Sequence, residues 1–585
     1  MFFARGSSNI HCRIWDTVAV IQSEARDLST GHRPHNFETL DHLRDPSPSL
    51  RLGMTTRLLQ GKIVWFNIRM FKILLITIAA LLIPVQAGVS AANSRHVVLI
   101  VWDGMRPDFV TEKYAPTLDR LAHDGVRFRN HHSVYPTATD VNGAALATGC
   151  YPNRNGLAAN LEFRPAINSR QPIDMGDPDS IKRGDDVSAG KYLAIPTFVE
   201  LLRAAGKKVA LVGAKSVAML FDRQNDWTYA RIKGKALTIF AAAPLDPAAR
   251  EEMTKLVGPL IDDPGATAAQ RNHFATRALT EFFWRDSVPD FSLLWLSEPD
   301  LAEHNFAPGS PEAIAAIKAV DNELAMVLSA LDKKRVRDST DIFVVSDHGF
   351  STIRRSIDVA ALLNKAGFRA AKEFSDKPNP GDIVVAGNGG TVLFYVRDHD
   401  RDVTQRLVDW LQRSDFAGVI FTRDRLARTF ASSDAFIETT DGADVVMSFR
   451  SYDEKNQFSV TGMIDADWNR KAGEGTHATL SRFDVNNALL AAGPEFRRGL
   501  EISAPSGNID LAPTILAISG VDIPKGLAGR RLDNGEDGSS DWHPQSGARH
   551  LEANNGGWHQ QLHITHFSGS DYLESQESLA EKVKQ

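Results

Sequence analysis

The sequence has little cysteine: among 585 residues only Cys12 and Cys150 carry thiols. Two cysteines exclude a disulfide scaffold and any thiolate-built zinc finger or iron–sulfur cage. A metal in this chain must be held by histidine and carboxylates. The chain also lacks a surplus of positive charge. Its 66 Lys and Arg against 72 Asp and Glu give a formal net charge of −6, with no long basic run, which argues against a binder of duplex nucleic acid. No apolar run reaches the ~20 residues needed to span a bilayer, and no internal repeat is visible. What is present is 43% hydrophobic, 8% aromatic and 24% charged residues, the balance of a globular chain that buries large cores.

Met70-Phe71-Lys72, an apolar run over 73–85, and the small residues of Val85-Gln86-Ala87 and Val89-Ser90-Ala91 form the tripartite pattern of an export signal over 70–91. An uncleaved anchor is the alternative reading of the same run. Residues 1–69 show scattered charge and no sustained apolar period, and are read as an unstructured segment upstream of the true start. The expected product is periplasmic or secreted, without a stable membrane span once the signal is cut. One large domain is expected over 92–532, followed by a linker and a terminal strand and tail over 533–585.

Apolar runs at 96–102, 208–212, 291–296, 341–345 and 488–492 are continuous rather than alternating, which predicts parallel strands covered on both faces. Helical patterns at 115–124, 196–205 and 311–331 lie between them. Strands alternating with helices predict an α/β fold around a mostly parallel, doubly wound sheet. The stretch of about 368–460 reads differently, as strand (391–396), helix (403–413) and two strands (418–422, 444–449), and predicts an inserted, smaller α+β subdomain.

Polar residues fall where three of the strands end. Asp103 follows the first run, Asp300 lies just past the third, and Asp347-His348 follows the fourth. Ligands of open parallel sheets bind beyond the carboxyl ends of strands, so these loops are expected to converge. Asp300 and His304 stand four apart, on one face if helical. With His477 they make a three-ligand metal set with an open position. Asp103, Asp347 and His348 can hold a second ion, and two ions about 3.5–4 Å apart form the usual clamp for in-line displacement at phosphorus. Thr139, expected as the N-cap of a helix beginning near Gly143, supplies a hydroxyl at the positive end of a helix dipole. The plainer readings are a turn at Asp103-Gly104 and capping roles for Asp300, Asp347 and Thr139. His131-His132 and the tail histidines His559, His563 and His566 have no carboxylate pattern beside them and are not read as ligands.

In these motifs the chain resembles the type I phosphodiesterase/nucleotide pyrophosphatase family of the alkaline phosphatase superfamily. The likeness rests on Val101-Trp102-Asp103-Gly104-Met105-Arg106, Tyr135-Pro136-Thr137-Ala138-Thr139, Ala147-Thr148-Gly149-Cys150-Tyr151-Pro152, Asn155-Gly156, Ser297-Glu298-Pro299-Asp300 with His304, Ser346-Asp347-His348-Gly349-Phe350, Gly475-Thr476-His477 and Asn508-Ile509-Asp510. It runs from about His96 to Arg531. The resemblance implies an alkaline-phosphatase-like three-layer sandwich and two Zn²⁺, other divalent ions being possible. One zinc would be held by Asp300, His304 and His477, the other by Asp103, Thr139, Asp347 and His348. It further implies a Thr139 nucleophile, a phosphothreonine intermediate, Asn160 on a phosphate oxygen, and a small phosphate ester as substrate. Nucleotide-cleaving members usually carry Phe-Pro-Asn-His after the nucleophile. Here stand Asp140, Val141, Asn142 and Gly143, which forfeits base stacking worth about 0.5–1.5 kcal/mol and adds a negative charge. Ala478 replaces the usual Gly after His477. Phosphonate hydrolysis, phosphomonoester hydrolysis and a catalytically silent binding protein are the competing expectations.

Overall fold

Seven successive buried residues, His96–Trp102, form the central strand β1 of the computed structural model, with a parallel partner on either side. The structure describes residues 95–580 except 224–226, 233–234, 242–244, 262, 264, 533–547 and 556–557. The expected export signal over 70–91, the segment 1–69 and most of the expected linker lie outside the described residues.

Among the described residues the sheet around β1 has nine strands. The others, in chain order, are β2 (Val126–Phe128), β3 (Val209–Gly213), β4 (Thr228–Ile232), β5 (Lys235–Ala241), β6 (Phe291–Leu296), β7 (Thr340–Val345), β8 (Leu489–Ala492) and β9 (Leu500–Ile502), laid out as β9-β2-β8-β7-β1-β6-β3-β5-β4. The central four, β7-β1-β6-β3, are mutually parallel, and only β5 and β8 run against the rest. The run at 488–492 thus departs from expectation: β8 is antiparallel to both neighbours. Cover on both faces makes a strand continuously apolar whichever way it runs, so the pattern reports burial and not direction.

Successive side chains of β1 point to opposite faces. Val97, Leu99 and Val101 enter one apolar cluster with Val141 and Ala145 of helix α1 (Thr139–Thr148) and with Leu511 and Ile515 of helix Leu511–Ile518. Val98, Ile100 and Trp102 enter another, with Leu118 and Leu121 of helix Pro116–His123 and Ile317 and Leu324 of helix Pro311–Lys333. Each such side chain contributes about 1.5–3 kcal/mol by leaving water. Helices on both faces make the three layers of an α/β sandwich.

A second, six-stranded sheet joins Ala370–Ala371, Ile383–Gly387, Thr391–Val396, Val445–Phe449, Ala417–Thr422 and Phe430–Ala431 in that spatial order. Helix Arg401–Gln412 lies in sequence between its strands. A four-stranded sheet of Ser451–Lys455, Thr461–Ala466, Ser351–Ser356 and Gly475–Thr476 carries the chain to His477. Within the stretch expected as linker, Ala548–Asn555 is instead an edge strand of an antiparallel sheet with Trp558–Phe567 and Ser570–Ala580. Its polar composition conceals it because only Leu551 and Ala553 pack inward.

Candidate metal centre

The carboxyl ends of four parallel neighbours deliver the polar groups. Asp103 follows β1, Asp347 and His348 follow β7, Lys215 follows β3, and the loop after β6 leads to Asp300, the first residue of helix α2 (Asp300–Phe306). Gly104, at φ 77°, permits a close approach: a Cβ there would stand 3.1 Å from the Asp300 Cα. Across this contact the Asp300 N–H donates to the Asp103 carbonyl at 3.0 Å. Asp300 and His304 share a face of α2 as their spacing predicts. Gly475, where a Cβ would collide with the Glu303 carbonyl, lets the strand Gly475–Thr476 pass close beside that helix.

Thr139 differs from expectation in one respect. Ala138 occupies the N-cap position with extended backbone, and Thr139 is the first helical residue, its hydroxyl making no capping bond. The helix starts earlier than the apolar pattern suggests because Thr139, Asp140 and Asn142 are themselves buried. The hydroxyl is therefore available, 3.2 Å from His348 Nε2.

Three histidines are oriented alike. His304 Nδ1 donates to the Gly475 carbonyl at 3.0 Å, His348 Nδ1 to the Gly349 carbonyl at 2.9 Å, and His477 Nδ1 to the Thr137 carbonyl at 2.8 Å. A carbonyl can only accept, so each Nδ1 carries the proton and each Nε2 of a neutral ring presents a lone pair. Those Nε2 atoms converge on carboxylate oxygens. Asp300 Oδ1 lies 3.2 Å from His304, 3.6 Å from His477 and 3.9 Å from His348, while Asp103 Oδ1 and Asp347 Oδ2 lie 3.6 and 3.4 Å from His348. Burial lowers the pKa of His304 and, with His348 and His304 adding to it, holds His477 well below the usual range. Neutral imidazole lone pairs facing carboxylate oxygens repel unless a cation lies between them.

The carboxylates give the same indication. Asp103 Oδ1, Asp300 Oδ1 and Asp347 Oδ2 are buried and accept no well-directed hydrogen bond, an expensive arrangement for an anion without a counter-ion. Their second oxygens are committed: Asp103 Oδ2 to Trp295 Nε1 at 2.8 Å, Asp347 Oδ1 to the N–H groups of Gly104 and His348, and Asp300 Oδ2 to Lys215 Nζ at 2.6 Å. The donor set of nitrogen and oxygen suits zinc or another divalent ion. Two groups have ligand atoms close enough to share an ion, Asp300 with His304 and His477, and Asp103 with Asp300 and His348. Asp300 belongs to both, and Asp347 borders the second through His348.

Lys215 Nζ, 2.9 Å from Asp103 Oδ1 as well as 2.6 Å from Asp300, offsets part of this charge. Burial opposes the Lys215 charge, but Asp103, Asp300 and Asp347 outweigh it and hold the ammonium protonated. Burial likewise works to raise Asp300, yet the Lys215 ammonium keeps it well below the usual carboxylate range. One lysine is not enough for the rest: burial and then Asp347 push Asp103 up to about 8, and burial pushes Asp347 up to about 7. These two carboxyls hold protons in the metal-free fold that the unfolded chain has released. Between the unfolded value of about 4 and the folded values, the native state therefore binds more protons, and stability falls as pH rises. Above about pH 6.5 His304 and His477 are neutral in folded and unfolded chain alike and no longer oppose the carboxyls. From there to pH 8 chelator-treated protein should lose melting temperature, and added zinc should restore it. A melting temperature that rises with pH in the stripped protein would contradict this.

Two adjoining clefts of about 370 and 260 Å³ open onto these groups. Asp140, Asn160, Asp174, His304, Arg470 and His477 line both, and the smaller also reaches Thr139, Lys215 and Asp300. Asn160 Oδ1 accepts the Asp140 N–H at 2.8 Å, and its amide lines both clefts. Burial, then Asp174, raises the Asp140 carboxyl well above its ordinary value, so the negative charge noted in the sequence is weakened in the folded protein. Sequence reasoning missed Lys215 and Arg470. Lys215 obeys the same strand-end rule that found the aspartates, applied to β3. Arg470 sits in the loop before Gly475 and carries no sequence signal.

A sequence profile of the family described as type I phosphodiesterase/nucleotide pyrophosphatase matches residues 97–426. That span contains Asp103, Thr139, Asn160, Asp300, His304, Asp347 and His348, and ends before His477. The chain is 24% identical over 432 residues to ectonucleotide pyrophosphatase/phosphodiesterase family member 7 of Rattus norvegicus, covering 73% of this chain and 85% of that protein. It is 22% identical over 274 residues to a venom phosphodiesterase of Macrovipera lebetinus, covering 45% of this chain and 26% of that one. Among solved structures, human ectonucleotide pyrophosphatase/phosphodiesterase 5 superimposes with a TM-score of 0.50 at 16% identity, covering 76% of this chain and 98% of that one. The three-layer fold is thus shared. Among the described residues no helix is long and apolar enough to cross a membrane.

Proposed function

The chain belongs to the type I phosphodiesterase/nucleotide pyrophosphatase family, and on that premise we propose that it hydrolyses phosphodiester or pyrophosphate bonds with Thr139 as the nucleophile. The observation that carries this reading is the position of the Thr139 hydroxyl, at the start of α1 and 3.2 Å from His348 Nε2, beside carboxylate oxygens without hydrogen bonds. Asp300, His304 and His477 would hold one divalent ion, zinc by the character of the donors, and Asp103, Asp347 and His348, with Thr139, a second. Such ions supply Lewis-acid stabilisation of charge at phosphorus and lower the pKa of bound hydroxyl groups.

The chain's own groups do the rest. The N-terminus of α1 presents its positive dipole end to an incoming phosphate. Thr139 Oγ attacks phosphorus, the bond to the leaving oxygen breaks, and a phosphothreonine forms. Water then cleaves the adduct and regenerates the hydroxyl. Asn160 Nδ2 donates to a non-bridging oxygen whose charge grows in the transition state. Asn160→Ala should therefore lower kcat on bis-p-nitrophenyl phosphate by about 10²–10³-fold, the usual effect of removing one such donor. Purified protein assayed on this diester, with and without chelator and with zinc added back, tests the proposal. Chelator-sensitive turnover supports it, and a metal-replete protein that leaves the diester intact overturns it. The export signal over 70–91 and a periplasmic or secreted location are part of the same proposal.

A further inference from the structure

The two cations of the clefts are treated differently by the fold. Lys215 is matched by Asp103 and Asp300. Arg470 is half-buried between the clefts and pairs with no carboxylate among the described residues. Its one hydrogen bond is a long one, Nη1 to the His304 carbonyl at 3.4 Å. The nearest acids are engaged elsewhere. Asp467 accepts the N–H groups of Gly389 and Asn469 and the Asn469 amide, and Glu474 accepts the Lys471 N–H. Burial works against the Arg470 charge, which Asp300, Glu474 and Asp467 only partly support. A half-buried guanidinium without a counter-ion costs free energy until an anion reaches it, and its planar fork fits a carboxylate or a phosphate.

Its place bears on which part of a substrate it meets. From Thr139 the contacts run to His348 Nε2 at 3.2 Å, on to Asp300 Oδ1 at 3.9 Å, then to His304 Nε2 at 3.2 Å, with Arg470 behind His304. The larger cleft, which Arg470 also lines, reaches neither Thr139 nor Asp300 nor Lys215. Arg470 also lines the smaller cleft, with Thr139, and in-line attack directs the leaving group away from the attacking hydroxyl.

We propose that Arg470 is a specificity-determining residue that binds a second anionic group carried by the leaving portion of the substrate, a few bonds from the reacting phosphorus. This rests on the hydrolase reading above. The anion has two chemical sources. In a pyrophosphate, the Thr139 Oγ–P bond forms as the bridging P–O bond breaks. The electron pair leaves on an oxygen of the second phosphate, which Arg470 neutralises, and the Thr139 proton passes to solvent. In a phosphonocarboxylate the Thr139 Oγ–P bond forms as the P–C bond breaks, the pair delocalises into the carboxylate held by Arg470, water protonates the carbon, and the Thr139 proton neutralises the hydroxide left in solvent.

The test compares wild type, Arg470→Ala and Arg470→Lys on three substrates: bis-p-nitrophenyl phosphate, a nucleoside triphosphate and phosphonoacetate. The quantity read is the ratio of kcat/KM for each anionic substrate to that for the diester. For the correct source it should fall about 10- to 100-fold in Arg470→Ala, the usual range for a charge-assisted pair, and recover partly in Arg470→Lys. Competitive inhibition of diester cleavage by inorganic pyrophosphate or by phosphonoacetate should weaken by a similar factor. Loss confined to the triphosphate names a pyrophosphate, and loss confined to phosphonoacetate names a carboxylate. Ratios and inhibition constants unchanged in Arg470→Ala, or a wild type that cleaves the diester and neither anionic substrate, overturn the inference alone. A wild type inert on all three overturns the hydrolase reading instead.

Discussion

Thr139→Ala should abolish diester turnover, with kcat reduced by about 10⁴-fold or more, the scale seen when a catalytic nucleophile is removed. Bound metal per chain and melting temperature should change little, because the hydroxyl makes no capping bond and the five carboxylate and imidazole residues of the two ligand groups remain. The hydroxyl nearest in sequence cannot take over. Thr137, two residues earlier, is fully buried and spends its hydroxyl proton on the Thr479 carbonyl at 2.8 Å. Thr139→Ser keeps the oxygen and should retain measurable turnover. Assays of the three proteins side by side, with metal content measured on each, check the expectation. An alanine variant with a large fraction of wild-type activity removes the covalent mechanism.

Asp300→Asn should cost almost as much for a different reason. Asp300 Oδ1 is common to both groups of ligand atoms, and Oδ2 holds Lys215. The amide keeps the shape and removes the charge. Lys215 then has Asp103 as its nearest anion, and three imidazole Nε2 atoms face a group that no longer attracts a divalent ion. Loss of about 10³-fold or more in kcat/KM is expected, together with loss of bound metal, since the ion's Lewis-acid contribution goes with it. Metal analysis separates this variant from Thr139→Ala, which should lose activity and keep its ions. An Asp300→Asn protein with full metal content and normal rate would contradict the assignment of both groups.

How far the sequence anticipates the molecule follows from what each signal measures. The runs at 96–102 and 291–296 become strands with those same bounds because continuous burial on two faces leaves little choice of residue. Direction is not encoded in that pattern, which is why β8 is antiparallel despite its apolar run. Asp103, Asp347 and His348 can be singled out in the sequence because ligands of parallel sheets bind beyond the strand ends. Asp300 and His304 are legible because four residues make about one helical turn. Lys215 follows the same strand-end logic. Arg470 follows none: it reaches the clefts through a loop whose path depends on the four-stranded sheet around Gly475, and no local pattern reports a contact with His304. The start of α1 at Thr139 is hidden for a related reason, since its first turn buries polar residues that a surface helix would expose. The strand at Ala548–Asn555 is hidden because most of its side chains face outward.

The most direct test of the central claim is chemical trapping of the adduct. Metal-replete protein mixed with excess bis-p-nitrophenyl phosphate, quenched in acid within one turnover, digested and analysed by mass spectrometry should show a phosphoryl ester on the peptide containing Thr139, located at that hydroxyl. The adduct should be absent from Thr139→Ala. Product released within the same turnover with Thr139 unmodified, or the adduct found on another residue, would contradict the account.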